Sequence, residues 1–176
     1  MNKLLFFIKK PDVVLVLGKG RSFAAEIISK ILKDKNVLIF ESEMPDFFLK
    51  KSKLPILVIT DSDDEREISN IERWAKITPA HGFLVLNFDR DQIRDIRNAG
   101  VAQCLTYGFF KKADLRVSDL NVTTDGTNFK INYQGNIVPF WFKESLEKKH
   151  IYSILSAIAV GVIRGINLVE MSQSLK

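Results

Sequence analysis

The run Val13-Val14-Leu15-Val16-Leu17, closed by Gly18-Lys19-Gly20-Arg21-Ser22, constrains this chain most. An uninterrupted apolar run has no polar face, as expected of a strand covered on both sides of a parallel sheet. Beyond the turn, Phe23, Ile27, Ile28, Ile31 and Leu32 recur at helical spacing with Glu26, Lys30 and Lys33 on the other side, so the turn feeds an amphipathic helix. In a strand, glycine-bearing loop and helix in that order, successive backbone N–H groups and the helix amino terminus face the loop, a geometry suited to anions.

The pattern continues. Val37 to Phe40, Leu54 to Ile59 and Phe83 to Leu86 read as further strands, Ile68 to Ile77 and Gln92 to Arg97 as helices, and Val101 to Leu105 as another strand. Strands alternating with helices predict a three-layer α/β architecture, a mostly parallel sheet flanked by helices, with ligands at the carboxyl ends of the strands. Glu41, Glu43, Asp61, Asp63 and Asp89 would lie along that rim. After Leu105 the period changes. Leu115, Val117, Leu120 and Val122 alternate with polar residues, Asp125-Gly126 supplies a tight turn, and Phe129, Ile131 and Tyr133 line one face of the next strand. A second turn, Gln134-Gly135-Asn136, leads into Ile137 to Phe142, which predicts a small antiparallel subsheet. Ile151, Leu155, Ile158 and Val162 form one helical stripe, and Leu168 to Leu175 a last short helix.

With 176 residues and 46% apolar composition the chain suits a single domain spanning 1–176. One cysteine, Cys104, excludes an internal disulfide, and with two distant histidines no zinc-ligand spacing exists. A formal charge of +5 favours anionic partners only weakly. Basic clusters such as Lys50-Lys51-Lys53 and Lys143 to Lys149 lack the aromatic interleaving of a single-strand binder, so nucleic acid is not an expected partner. Leu4 to Ile8 is shorter than the ~7–15 residues of a secretory apolar core, and Ile151 to Val162 is shorter than the ~20 a membrane span requires. The expectation is a cytoplasmic protein without a membrane span.

The segment from Ala113-Asp114-Leu115-Arg116 through Asp125-Gly126-Thr127-Asn128-Phe129 to the helix at Lys148-Lys149-His150-Ile151-Tyr152-Ser153 and the Gly165-Ile166-Asn167-Leu168 break resembles the closing part of the central, ATP-binding domain of Mur ligases, the peptidoglycan precursor synthetases. Within that family it looks most like the ligase that adds D-alanyl-D-alanine to UDP-N-acetylmuramoyl-tripeptide. The resemblance implies a P-loop-type domain without the flanking UDP-sugar and amine-binding domains. It also implies ATP and Mg²⁺ as cofactors.

On that resemblance, Gly18, Lys19, Gly20, Arg21 and Ser22 stand where the family has G-T-x-G-K-[S/T]. The loop is one residue shorter, and Arg21 replaces the lysine. Arginine neutralises phosphate, but its planar fork cannot occupy the compact position of an ammonium. Without the resemblance, the same residues read equally well as a plain strand-to-helix turn. Ser22 holds the hydroxyl position that reaches Mg²⁺; Glu41 resembles the strand-end glutamate of the metal site, with Glu43 as its neighbour, although strand-end acids are also ordinary solvated caps. Thr60-Asp61 stands at a Thr-Asn or Asn-Asn pair, whereas the histidine that follows in the family has no counterpart. Lys76, in Trp74-Ala75-Lys76-Ile77, resembles the lysine that many Mur ligases carbamylate, against the alternative of an exposed helix lysine. Asn87-Phe88-Asp89 matches an Asn-x-Asp element near the nucleotide. The alignment puts Lys149 and His150 at the His-Asn pair and Ser153 at the second Asn of the adenine-recognising helix, which loses the amides expected there.

If the family chemistry applied, ATP would phosphorylate a carboxylate and an amine would displace the phosphate. The expectation is instead a degenerate, stand-alone Mur-type central domain, catalytically weak or silent, that either retains nucleotide binding or serves as a protein-interaction module, linked to peptidoglycan precursor synthesis and not a ligase alone. The alternative is a subunit of an ATP-dependent acid–amino-acid ligase, completed by a partner chain that supplies the missing domains.

Overall fold

The alternation of side chains in β1 (Asp12–Leu17) divides the molecule into two cores. Strand side chains point to opposite faces with a period of two. Val14 and Val16 of β1 therefore enter one apolar cluster, while Val13, Leu15 and Leu17 enter the other. β3 (Pro55–Ile59) repeats the division with Ile56 and Val58 against Leu57 and Ile59, and β4 (Phe83–Asn87) with Val85 against Leu84 and Leu86. These strands are buried on both sides, which is why they read as continuous apolar runs.

This computed structural model describes residues 3–33 and 36–175. The order of elements is α1 (Lys3–Lys9), β1, α2 (Arg21–Leu32), β2 (Val37–Phe40), α3 (Asp46–Lys51), β3, α4 (Glu65–Ile77), β4, α5 (Asp91–Asp95), β5 (Gln103–Gly108), β6 (Leu115–Thr123), β7 (Gly126–Tyr133), β8 (Asn136–Phe142), α6 (Lys148–Ile163) and α7 (Leu168–Ser174). One eight-stranded sheet runs in the order β2-β1-β3-β4-β5-β6-β7-β8. Its first part, β2 to β5, is parallel; β6, β7 and β8 pair antiparallel. The expected three-layer sheet is present, and the antiparallel strands continue it. Tyr107 and Gly108 of β5 pair in parallel with Leu115 and Arg116 of β6, and Asp114 reinforces this seam by accepting bonds from the Thr106 N–H at 2.8 Å and its hydroxyl at 2.6 Å.

Helices α2, α6 and α7 cover one face. There Val117, Phe129, Ile131, Phe140 and Phe142 of the antiparallel strands join the same apolar cluster as α6. Every residue of α6 from Ile151 to Gly161 is buried, so the expected single stripe is corrected to a helix buried all round, as suits a core element. Gly161 makes that packing possible: a Cβ there would sit 2.2 Å from Met171 Sδ. The other face of the antiparallel strands is open to solvent, with Trp141 66% and Ile137 60% exposed.

On the opposite face of the parallel part, α1, α3, α4 and α5 cover the sheet. Two of these helices are additions to the expected set. Phe6 of α1 is fully buried, with its ring 5.3 Å from Phe47 and 5.0 Å from Phe48 of α3. Helices this short are stabilised by such tertiary contacts rather than by propensity. β5 also begins later than the predicted Val101 and extends to Gly108. Among the described residues, no helix is long and apolar enough to cross a membrane.

Candidate functional site

The carboxyl ends of β1, β2, β3 and β4 bring together most of the residues singled out above. Gly18 and Gly20 both adopt positive φ, 98° and 83°, where a side chain is strained. Space is equally restrictive. A Cβ on Gly18 would lie 2.5 Å from the Asp61 carbonyl oxygen, and one on Gly20 would lie 2.9 Å from Ser153 Oγ. The turn is thus wedged between the end of β3 and the start of α6. Thr60 Oγ is 3.0 Å from the Leu17 carbonyl oxygen and 2.6 Å from that of Lys19, and the Lys19 N–H donates to the Asp61 carbonyl at 2.6 Å. One N–H of the expected nest is therefore occupied by the protein itself.

Helix α2 begins with Gly20 as its cap and no capping side chain. Its first intrahelical bond runs from Ala24 N to Gly20 O, so the N–H groups of Arg21, Ser22 and Phe23 precede the ladder. They carry the positive end of the helix dipole. The charged groups around them are mixed. Lys19 Nζ pairs with Asp63, Arg21 Nη1 lies 3.9 Å from Glu67, and Arg90 Nη2 lies 2.9 Å from Asp61. The Asp63 hydrogen bond is the main cause holding the Lys19 ammonium above its usual pKa, and the same contact holds Asp63 below the usual carboxylate range.

Ser22 and Glu41, both expected at a metal site, are joined: the Ser22 hydroxyl donates to Glu41 Oε2 at 2.6 Å. Glu43 is exposed beyond β2. Among the described residues, no group of three or more histidines, cysteines or carboxylates is placed to hold a metal ion. A hard cation would thus find one carboxylate and a hydroxyl here, with its remaining ligands left to water and phosphate oxygens.

Behind the turn opens a cleft of about 370 Å³, lined by Lys19 and Gly20 from the turn, Phe23 from α2, Thr60 and Asp61 from the loop after β3, and Lys149, His150, Tyr152 and Ser153 from α6. Ser153 Oγ lies 3.4 Å from the Gly20 carbonyl oxygen and 3.3 Å from that of Lys149. The Phe23 and His150 rings meet edge to face at 5.1 Å. His150 Nδ1 is buried without a hydrogen-bond partner, a costly state.

Two other expected residues have different surroundings. The Asp89 carboxylate accepts from the Phe109 N–H at 2.8 Å, the Phe110 N–H at 3.0 Å and the Tyr152 hydroxyl at 2.9 Å. It braces the β5–β6 connection against α6. Asn87 Oδ1 accepts from the Asp89 N–H at 3.0 Å, and its Nδ2 is buried without a partner. Lys76 is not brought to the site. α4 starts beside the phosphate-loop candidate, where Glu67 faces Arg21, and Lys76 is exposed nine residues further on, about 13 Å along the axis at 1.5 Å per residue. Sequence reading missed Tyr152, whose only signal was its place one residue before Ser153, and Phe23, which was read as part of a packing stripe.

The fold is shared with known proteins. No protein-family profile matches the chain. The UDP-N-acetylmuramate–L-alanine ligase of Endomicrobium trichonymphae is 22% identical over 173 residues, covering 93% of this chain and 38% of the ligase. Among solved structures, the UDP-N-acetylmuramoylalanyl-D-glutamyl-2,6-diaminopimelate–D-alanyl-D-alanyl ligase of Acinetobacter baumannii superposes with a TM-score of 0.78 at 12% identity, over 96% of this chain and 46% of that one. The fold is that of a Mur ligase central domain. A Mur ligase from Thermotoga maritima, solved in complex with ADP, superposes with a TM-score of 0.73 at 13% identity, over 96% of this chain and 50% of its own. The sequence similarity to the Endomicrobium ligase extends over nearly the whole chain. The sequence relative is named for L-alanine and the Acinetobacter structure for D-alanyl-D-alanine, so the expected subtype does not extend to both. The chain spans about half the length or less of these proteins.

Proposed function

We propose that this chain is a Mur-type central domain that binds a nucleotide, with phosphates at Gly18–Ser22 and the amino terminus of α2 and the base in the cleft beside Phe23, His150, Tyr152 and Ser153. The carrying observation is the continuity of that cleft with the glycine turn, whose Lys19 and Gly20 line it together with His150 and Ser153 of α6. The residues fit the phosphate end through three N–H groups ahead of the helix ladder and two cations, and Ser22 with Glu41 would be the protein's contribution to Mg²⁺. When bound, ATP would supply an activating phosphoryl group. The chain's own groups would hold its phosphates and exclude water from the base.

In this reading the chain does not ligate alone. Loop cations engaged with carboxylates and a cation site with a single acid support weak binding without efficient phosphoryl transfer. The link to peptidoglycan precursors rests on homology, and the amino acid subtype stays with the resemblance to the D-alanyl-D-alanine ligase.

Thermal unfolding with and without Mg²⁺-ATP tests the reading. Saturation to tenfold above the dissociation constant stabilises by about 1.4 kcal/mol, a rise of roughly 3–6 °C for a chain of this size. The rise is expected to shrink in Arg21→Ala and to persist in Lys76→Ala, whose side chain lies away from the cleft. No rise at millimolar nucleotide would sink the binding reading; amide formation with nucleotide turnover by the purified chain would sink the claim of silence.

A further inference from the structure

The β3–α4 segment, Asp61 to Glu67, is acidic where a phosphate loop calls for free positive charge, and three of its carboxylates face cations, Asp61 pairing with Arg90. Asp63 takes the Lys19 ammonium, Glu67 lies 3.9 Å from Arg21, and the Asp61 carbonyl takes the Lys19 N–H. The segment is held in this pose by its own contacts. Asp64 caps α4 by accepting from the Arg66 N–H at 2.8 Å and the Glu67 N–H at 3.0 Å, and Glu67 also accepts from the Ser62 hydroxyl. The cap sets the start of the helix, which puts Asp63 just before it and Glu67 within its first turn. Carboxylate oxygens thereby stand at the two cations that a polyphosphate would have to engage.

We propose that this segment is an intramolecular anion mimic: Asp63 and Glu67 occupy the cations of the Gly18–Ser22 turn, and a polyphosphate gains the site by displacing them. The inference rests on the reading of that turn as a phosphate site and adds a self-masking device to it. Acidic residues in the first turn of a helix also complement its dipole. That role alone predicts lower stability when they are neutralised, with no gain in anion affinity, whereas masking predicts a gain.

The double variant Asp63→Asn/Glu67→Gln keeps the size of both side chains and leaves each an acceptor oxygen while removing its charge. Isothermal titration with inorganic tripolyphosphate, without divalent cations, compares it with the parent at low and high salt. A second double variant, Asp119→Asn/Asp125→Asn, removes the same formal charge from the exposed β6–β7 end of the molecule and reports the effect of net charge alone. Because exposed ion pairs are individually weak, the expected gain is on the order of five- to twentyfold at low salt, shrinking at high salt as the pairs are screened. Equal affinities in parent and Asp63→Asn/Glu67→Gln, or an equal gain in the distant control, would overturn the mask while leaving phosphate binding by the parent in place. Failure of every protein to bind tripolyphosphate would overturn the mask and the phosphate site together.

Discussion

Asp89 separates a structural brace from a ligand contact, and Asp89→Ala measures which it is. The carboxylate accepts three hydrogen bonds, from Phe109 N, Phe110 N and the Tyr152 hydroxyl. Bonds to a charged acceptor contribute roughly 1.5–3 kcal/mol each. Phe110 is exposed, so water can replace the carboxylate at its N–H. The Phe109 N–H and the Tyr152 hydroxyl are more enclosed, and losing those two bonds should cost about 3–6 kcal/mol. In a chain of this length that lowers the melting temperature by roughly 6–24 °C. Tyr152→Phe removes only one of the bonds. In the Asp89→Ala background it should cost about 1.5 kcal/mol less than in the parent, because its partner is already gone. Calorimetry of the four proteins gives both numbers. An Asp89→Ala protein that melts within about 2 °C of the parent yet loses its response to nucleotide would refute the brace and return Asp89 to the ligand.

Gly18→Ala introduces a Cβ at 2.5 Å from a backbone oxygen at φ 98°, so it should destabilise by about 2–4 kcal/mol, whereas Gly135→Ala, at φ 82° with nothing within 4 Å, should cost only about 1–2 kcal/mol; denaturant midpoints that do not separate the two would contradict the wedge at the turn. Burial raises both Tyr107 and Tyr152, the latter also through its bond to Asp89. Below about pH 10 both folded and unfolded chains keep these protons, and above it the unfolded chain releases what the native one retains. Stability should therefore fall with rising pH from about pH 10, by about 1.4 kcal/mol per pH unit for each tyrosine. Tyr152→Phe should remove one tyrosine's share of the slope in alkaline denaturation titrations, Tyr107, Tyr133 and Lys19 supplying the rest; an unchanged slope would count against its raised pKa.

The parallel strands were legible because burial on both faces leaves an unmistakable apolar run, and the hairpins because Asp125-Gly126 and Gln134-Gly135 punctuate a period-two pattern. α1 and α3 were not. Leu4 to Ile8 and Asp46 to Lys51 are too short to show helical periodicity, and they are stabilised by mutual contact of Phe6, Phe47 and Phe48, which lie about forty residues apart in sequence. At the site, the glycine turn was readable from its position between strand and helix. The pairing of Lys19 with Asp63 was not, since it depends on how the Asp64 cap aims the start of α4. Asp89 kept its expected neighbourhood but acquired a bracing role from Tyr152, a partner 63 residues away. Local sequence carries no trace of such a contact.

The seam between β5 and β6 gives the sheet an uneven grain. Tyr107 and Gly108 meet Leu115 and Arg116 there, while β6, β7 and β8 are laddered along most of their length. Shear between the two halves is therefore borne less by the ladder than by α6, whose residues lie in one apolar cluster with Val58 and Val85 on one side and Phe129 and Phe140 on the other. That helix acts as a keel under two hulls, and its first turn also walls the cleft behind the glycine turn.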